Sequence, residues 1–121
     1  MKLNILPQTF VMCKLKDLSA VNIDDPFLVF AKTDKELSLI CLADRAPKNC
    51  LKIESGFRAF RVCGAMDFAL VGILAELSAV LAREKISIVA FSTFDTDYIL
   101  VREALLERTV AALTAAGHEF M

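Results

Sequence analysis

The stretch that decides the fold covers residues 70–101 and reads LVGILAELSAVLAREKISIVAFSTFDTDYILV. It begins with an apolar pattern typical of a helix, continues as a strand, and turns through three residues, 95–97, into a second strand. A strand-like run at residues 57–63 precedes it and leads into a glycine-bearing loop. A strand, a loop that opens a helix and a return strand form a βαβ unit, which presents helix N-terminal N–H groups to a ligand.

A second helix and a short apolar end complete this half of the chain. The second helix is predicted over residues 103–116, with Gly117 just beyond its end. The half then has the order βαββαβ, the ferredoxin-like plan, and the fold class is α+β. Between residues 70 and 82 the polar side chains are Glu76 and Ser78. We therefore expect the first helix to be buried on more than one side, with Val80 at an outward apolar position.

The first half of the chain resembles a shortened copy of the second. Three pairs match at one constant shift along the chain: Phe30 with Phe91, Asp34 with Asp95, and Leu39 with Leu100. Residues 10–13 (FVMC) match residues 60–63 (FRVC) at a smaller shift. The difference between the two shifts arises where the second half has its long helix, which predicts a shortened helix near residues 18–25. A chance match is the alternative.

Further strands are predicted from composition and alternation. Residues 27–31 and 37–42 are rich in apolar residues and are separated by TDKE, which predicts an antiparallel hairpin. Residues 51–54 are expected to form a short edge strand, and Ser55-Gly56 to separate the halves. The predicted domains are 1–55 and 56–121. Two halves joined by so short a link are expected to share one core.

Composition excludes several classes of partner. The net charge of −1 favours neither nucleic acid nor an anionic membrane surface. No apolar run reaches the ~18 residues of a membrane span, and the N-terminus lacks the features of a signal peptide, so a cytoplasmic protein is expected. Apolar residues make up 56% of the chain, above the ~45–50% usual for soluble domains. This excess of apolar residues predicts that they are buried either against more faces of the sheet than one small domain usually covers or in the interface of an oligomer.

The cysteines and the single histidine do not form a recognisable site in the sequence. Cys13, Cys41, Cys50 and Cys63 match no zinc spacing, so no metal and no cofactor are predicted. Cys13, Cys41 and Cys63 are expected to be small hydrophobes inside strands, and Cys50, in a loop, to be the most exposed. His118 lies in the C-terminal tail. Because no nucleophile–base pair is evident, the chain is not expected to be an enzyme.

The residues from Gly64 to Val101 resemble an ACT domain, a small βαββαβ module that senses amino acids. Gly72-Ile73-Leu74 resembles the family's helix start, residues 82–86 its helix end, and Phe91-Ser92-Thr93 its Ser/Thr-rich strand. The chain is similar to aspartokinase-type ACT pairs and to small stand-alone tandem-ACT proteins of bacteria. The resemblance implies two ACT-like halves side by side, the first of them degenerate and with a shortened first helix.

The resemblance also implies a ligand site between a loop and the strand that follows. The implied ligand-binding residues are Met66, Asp67, Phe68, Leu70, Gly72, Ile88, Ser92, Thr93, Phe94, Asp95 and Thr96. Loop N–H groups at a helix start suit a carboxylate, and aspartates such as Asp67 and Asp95 suit an ammonium. Structural alternatives remain for several of them: Asp67 as a helix cap, residues 95–97 as a solvated turn, and Phe68 and Phe94 as core residues.

Three functions are compatible with these residues. The first is a non-catalytic regulatory module that binds an amino acid or a similar small zwitterion. The second is an interaction or oligomerisation module that has lost its ligand site, which the apolar excess and the absence of a proline before Gly72 favour. The third, a small enzyme using the turn aspartates, lacks a base fixed beside them by the sequence. The expected partners are the ligand, a second copy in a homodimer, and a separate enzyme or regulator.

Overall fold

A computed structural model describes residues 1–63 and 72–121 of the chain. The strands are β1 (Lys2–Leu15), β2 (Leu28–Lys32), β3 (Leu37–Leu42), β4 (Cys50–Val62), β5 (Val89–Ser92), β6 (Asp97–Arg102) and β7 (Glu119–Phe120). The α-helices are α1 (Ile73–Arg83) and α2 (Leu106–Ala115). Short 3-10 turns follow β3, at Ala43–Arg45, and β6, at Glu103–Leu105. Helices together with mostly antiparallel strands confirm the predicted α+β class.

The chain divides into two compact units. The helical unit comprises Met1–Pro7 and Arg58–Met121, and the strand unit comprises Gln8–Phe57. Strands β1 and β4 each contribute residues to both units. The strand order is β7-β1-β4-β6-β5 in the helical unit and β2-β3-β1-β4 in the strand unit. The division of the sequence at residues 55 and 56 into two related halves stays a prediction.

The strand unit is built on the predicted hairpin, which the structure confirms. Strands β2 and β3 pair antiparallel, from Leu28 opposite Cys41 to Lys32 opposite Leu37. Strand β3 also pairs antiparallel with β1. Alternate residues of these strands form the core of the unit: Val11, Cys13, Leu15, Leu39 and Cys41. These residues share one face of the sheet, and Ile40, between Leu39 and Cys41, is buried on the opposite face.

Residues 18–25 form turns, so the predicted shortened helix is wrong. The Asp17 carboxylate accepts hydrogen bonds from both the backbone N–H and the hydroxyl of Ser19, at 3.0 and 2.6 Å. Farther on, the Asn22 side chain accepts a bond of 3.0 Å from the Asp24 N–H. Side chains of Asp, Asn and Ser that bond their own backbone compete with helical hydrogen bonds and favour turns instead.

Strand β4 is longer than predicted and has no break at Ser55-Gly56. It runs from Cys50 to Val62 and includes the positions that we assigned to a short edge strand and to a separator. Gly56 has a φ of 79°, a conformation that glycine adopts without the penalty other residues meet. The strand therefore continues through Gly56, and the predicted separator is wrong.

The helical unit has the predicted order βαββαβ, formed by β4, α1, β5, β6, α2 and β7. Strands β5 and β6 pair antiparallel, and β7 pairs parallel to the start of β1. The helices and strands enclose a core that includes Leu3, Phe60, Leu77, Ile99 and Leu113. Helix α2 ends as predicted, with Gly117 at a φ of 98°. The His118 N–H then donates to the Leu113 carbonyl, which closes the helix end.

Helix α1 buries one face, although its sequence is apolar nearly all round. Leu77, Val80 and Leu81 are its buried residues. Val80 is only 6% exposed and belongs to the core, so its assignment to an outward position was wrong. The outward apolar positions are alanines, at residues 75, 79 and 82. A small methyl group can face water at little cost, whereas a valine there would leave more apolar area exposed.

The two hairpins repeat each other, but in a register one position away from the one that the sequence match indicated. The N–H of Thr33 donates to the Glu36 carbonyl at 2.9 Å, and the N–H of Thr93 donates to the Thr96 carbonyl at 2.8 Å. Buried residues 39–41 correspond in the same way to buried residues 99–101, and a 3-10 turn follows each set. The structural repeat is therefore real for the hairpins, with its register corrected by one position.

Three thiols come together in the strand unit. Cys13 and Cys41 are buried, Cys50 packs against them, and the Cys50 thiol donates to the Pro47 carbonyl at 2.9 Å. Burial, together with a hydrogen bond to Cys50, raises the pKa of the Cys13 thiol to about 12, and burial also raises the pKa of Cys41. Cys13 and Cys41 are buried in strands, as predicted. Cys50 begins β4 and Cys63 follows it, and both are half-buried, which corrects the placement of each.

Candidate functional site

The turn between β5 and β6 carries several of the predicted site residues. Thr93 and Thr96 close it, since both the N–H and the hydroxyl of Thr93 donate to the Thr96 carbonyl, at 2.8 and 3.3 Å. Phe94 and Asp95 lie between them, at the exposed tip. Phe94 is 85% exposed, so the alternative that placed it in the core was wrong. The turn brings the Asp95 carboxylate to the surface.

Asp97 differs from the rest of the acidic turn because it is buried. It is the first residue of β6 and is only 4% exposed. The hydroxyl of Ser92, directly opposite it on β5, donates a short hydrogen bond to the Asp97 carboxylate. The expectation of a fully solvated turn over residues 95–97 was therefore wrong at Asp97. This bond occupies the Ser92 hydroxyl at the base of the hairpin.

An open cleft of about 470 Å³ lies beside this turn, within the helical unit. Its described lining residues are Asn4, Arg61, Val62, Cys63, Asp95, Thr96, Tyr98 and Met121. Two of the predicted site residues, Asp95 and Thr96, are among them. The hydroxyl of Thr96 donates to the Val62 carbonyl, which holds the turn against the end of β4. We call this cavity the helical-unit cleft; its volume is within the ~300–1,000 Å³ usual for ligand pockets.

Arg61 brings a positive charge to the same cleft and contacts Tyr98, which in turn stacks on Phe91. Its guanidinium donates a hydrogen bond of 3.4 Å to the Tyr98 hydroxyl. The Tyr98 ring stacks on Phe91, with ring centroids 5.0 Å apart and an angle of 11° between the planes. A planar guanidinium fixed in this way suits a carboxylate, which it can bind through two parallel hydrogen bonds.

The remaining walls come from the start and the end of the chain. The Cys63 N–H donates to the Lys2 carbonyl at 2.9 Å, which sets the start of β1 beside the end of β4 and brings Asn4 to the cleft. The Met121 N–H donates to the Leu3 carbonyl at 2.8 Å. The lining includes opposite charges on Arg61 and Asp95 together with neutral polar groups, a set that suits a carboxylate and an ammonium.

The other predicted site residues lie elsewhere or outside the described part of the chain. Gly72 precedes α1 with a φ of 87°, and its carbonyl accepts a bond of 2.8 Å from the Glu76 N–H. Ile88 packs against the core of the helical unit. Ser92, Thr93 and Phe94 belong to the hairpin but do not line the cleft. Four predicted residues fall outside residues 1–63 and 72–121: Met66, Asp67, Phe68 and Leu70.

Six lining residues were missed in the sequence: Asn4, Arg61, Val62, Cys63, Tyr98 and Met121. All but Tyr98 come from parts of the chain far from the turn, and a local pattern cannot bring them together. Arg61 did carry a signal, because it interrupts the apolar run of β4 between buried Phe60 and Val62. An exposed cation between two buried apolar residues of a strand marks a position at which a polar site can form.

Within residues 1–63 and 72–121, no group of three or more His, Cys, Asp or Glu side chains is arranged to hold a metal ion. Among the described residues, no helix is long and apolar enough to cross a membrane.

Comparisons with known proteins identify the family. The sequence profile of the ACT domain matches residues 52–115, more than half of the 121-residue chain. A search of curated proteins gave no match. A crystal structure of a protein from Agobacterium tumefaciens is 33% identical in sequence, with a TM-score of 0.87 over 99% of this chain and 91% of that one.

Aspartokinases share the fold at low sequence identity. Aspartate kinase from Synechocystis is 14% identical, with a TM-score of 0.72 over 99% of this chain and 27% of that one. A domain from Porphyromonas gingivalis, described as a C-terminal regulatory domain of aspartate kinase, is 14% identical, with a TM-score of 0.58 over 93% of this chain and 92% of that one. The chain belongs to the ACT domain family, whose members are regulatory modules that bind small ligands and are usually not catalytic.

Proposed function

We propose that this protein is a non-catalytic regulatory module that binds an amino acid, or a similar small zwitterion, in the helical-unit cleft. The observation that carries the proposal is the presence of Arg61 and Asp95, which have opposite charges, among the lining residues of one cleft. The ligand carboxylate binds Arg61, and the ligand ammonium binds Asp95. Asn4 and Thr96 supply further hydrogen-bonding groups. A charge-assisted hydrogen bond of either kind contributes about 1.5–3 kcal/mol.

The family resemblance extends this site toward α1. It assigns Met66, Asp67, Phe68, Leu70 and Gly72 to the ligand, and these assignments stay predictions. In that arrangement the N–H groups before α1 add to Arg61 in binding the carboxylate. Asp67 adds to Asp95 in binding the ammonium.

Thermal unfolding in the presence of individual amino acids tests the proposal. A ligand that binds the native state at 100 times its Kd stabilises it by about 2.7 kcal/mol, which is readily seen as a rise in Tm. We expect at least one amino acid at millimolar concentration to raise the Tm of the wild type. If none of the twenty does, the proposal is wrong.

Two variants then locate the site. Arg61→Ala and Asp95→Ala should each weaken binding about tenfold or more, while the free energy of unfolding falls by about 1 kcal/mol or less, because both side chains are exposed. Arg83→Ala, which removes an exposed arginine at the end of α1, is the matched control and should bind like the wild type. Binding that is unchanged in all three variants would place the ligand outside this cleft.

A second candidate function is an interaction module. Large apolar side chains are exposed in the strand unit: Leu18, Ile23, Leu51 and Ile53. Leu51 and Ile53 are two positions apart in β4 and therefore project from the same face, and an exposed apolar pair there favours a protein surface as partner, either a second copy of the chain or a separate enzyme or regulator. Leu51→Lys distinguishes the two functions, because it should abolish association while leaving amino-acid binding at Arg61 intact.

A further inference from the structure

The strand unit contains a second cleft, of about 200 Å³. Its described lining residues are Met12, Cys13, Lys14, Glu36, Ser38, Lys52, Ile53 and Glu54. Two lysines and two glutamates are thus among eight lining residues. We call this cavity the strand-unit cleft; none of the predicted ligand-binding residues is among its described lining residues.

The strand-unit cleft occupies the same place in its hairpin as the helical-unit cleft does in its own. Glu36 and Thr96 are the last residues of the two equivalent turns, each accepting a hydrogen bond from the threonine three residues earlier. Ser38 and Tyr98 each follow two residues later. All four line their respective clefts.

The strands that line the strand-unit cleft correspond in order to the strands that line the helical-unit cleft. In the strand unit, the hairpin strand β3 is followed in the sheet order by β1 and then β4, and the cleft takes residues from all three. In the helical unit, the hairpin strand β6 is followed by β4 and then β1, and that cleft also takes residues from all three. The two clefts are therefore equivalent positions of a structural repeat.

Two of the charged side chains of the strand-unit cleft, Lys14 and Glu36, are half exposed to solvent. The Lys14 ammonium lies 4.0 Å from the Glu36 carboxylate, and their side chains are 45% and 49% exposed. An exposed ion pair at that distance contributes at most about 1 kcal/mol. A ligand that offers both a carboxylate and an ammonium replaces this pair with two shorter contacts.

We propose that the strand-unit cleft is a second binding site, for a compact zwitterion of the size of glycine or serine. The ligand carboxylate binds Lys14 and Lys52, and its ammonium binds Glu36. The volume is below the ~300 Å³ at which ligand pockets usually begin, which favours a compact ligand. The choice of ligand class rests on the function proposed for the helical-unit cleft, because the equivalence of the two clefts carries the chemistry from one to the other.

Amide chemical shifts of the ¹⁵N-labelled protein test the proposal during titration with glycine and with L-serine. We expect saturable shifts at Lys14, Ser38 and Lys52, with an affinity that Lys14→Gln and Glu36→Gln each weaken about tenfold or more. Lys48→Gln removes an exposed lysine of the strand unit that does not line the cleft, and should leave the affinity unchanged. Arg61→Ala should also leave these shifts unchanged.

The outcomes separate this inference from the proposed function. Shifts confined to Arg61, Thr96 and Tyr98 would overturn the second site and support the first. Shifts confined to the strand unit would support the second site and overturn binding in the helical-unit cleft by these two amino acids. Shifts in the strand unit that persist in Lys14→Gln and Glu36→Gln would also overturn the proposed site. No saturable shift in the strand unit with either amino acid would overturn it too.

Discussion

Phe91 and Tyr98 stack directly opposite each other on neighbouring strands, and the Tyr98 hydroxyl accepts a hydrogen bond from Arg61 on the strand beyond. The ring contact between β5 and β6 and the hydrogen bond between β6 and β4 thereby set the position of the positive charge in the helical-unit cleft. Neither aromatic residue needs to touch a ligand to influence its binding. Tyr98 is a positioning residue as well as a lining one.

Tyr98→Phe isolates the role of the hydroxyl. The variant keeps the stacked ring and removes the acceptor for Arg61, so we expect the free energy of unfolding to fall by about 0.5–1.5 kcal/mol at most. Amino-acid affinity should fall as well, because the guanidinium is no longer held. Isothermal titration of the variant with the amino acid that stabilises the wild type measures this. An unchanged affinity would show that Arg61 needs no support from Tyr98.

Leu3→Ala should destabilise the protein strongly although Leu3 lies near the start of the chain. Leu3 is 0% exposed and belongs to the core of the helical unit. Truncating a fully buried leucine costs about 2–5 kcal/mol. Lys2→Ala, at the exposed neighbouring position, is the matched control and should stay within about 0.5 kcal/mol of the wild type. Urea unfolding measures both, and equal values for the two would contradict the described packing.

Stability should decline at alkaline pH because of the buried thiols. Burial raises the pKa of Cys13 from its ordinary value of 9.0 to about 12. Between these values the unfolded chain releases a proton that the folded chain retains, so the free energy of unfolding falls as the pH rises, by at most about 1.4 kcal/mol per pH unit for this group. Below pH 9 the contribution of Cys13 to stability is fully present.

Cys13→Ala should reduce this alkaline slope, with the remainder carried in part by Cys41, whose pKa burial also raises. Val11→Ala is the control, because it shortens another buried side chain of the same core without removing an ionisable group. It should lower stability at every pH and keep the slope. Urea unfolding at pH 8, 9 and 10 gives both quantities, and an identical slope in Cys13→Ala and the wild type would refute the assignment.

A homodimer remains our prediction for the assembly. Light scattering at high micromolar concentration should give about twice the chain mass of 13.3 kDa. Val80→Glu cannot test assembly, because Val80 lies in the core and the change would unfold the helical unit. Leu51→Lys is the suitable variant, since Leu51 is 58% exposed, with Lys16→Ala as control. A wild-type mass equal to that of a single chain at all concentrations would exclude the dimer.

The hairpins were predictable because each is encoded locally. An apolar run, a polar tetrapeptide and a second apolar run specify β2 and β3 without reference to the rest of the chain. The register of the repeat was wrong by one position, since matching Phe30 to Phe91 ignores which side of the strand each side chain faces. Moving a strand by one position exchanges its two faces, so the hydrogen bonds of Thr33 and Thr93 decide the correct alignment.

The candidate site was predictable from the sequence only at the turn between β5 and β6, where polar residues follow one another. Asp95 and Thr96 stand out as polar residues at a turn, but Asn4 and Met121 reach the same cleft through β-pairing between the two ends of the chain. Such pairing depends on long-range contacts that no window of sequence contains. The buried state of Asp97 was missed for the same reason, because its carboxylate is satisfied by Ser92 on the facing strand.

The helical unit consists of two separate segments of the chain, and this affects the order in which the protein can fold during synthesis. Its segment Met1–Pro7 is synthesised long before β7, which pairs with it. At synthesis rates of about 5–20 residues per second, the first strand waits several seconds for this partner. Gln8–Phe57, in contrast, is contiguous and can fold while synthesis continues. The strand unit can thus form first and keep the rest of β1 ordered while the start of β1 awaits β7.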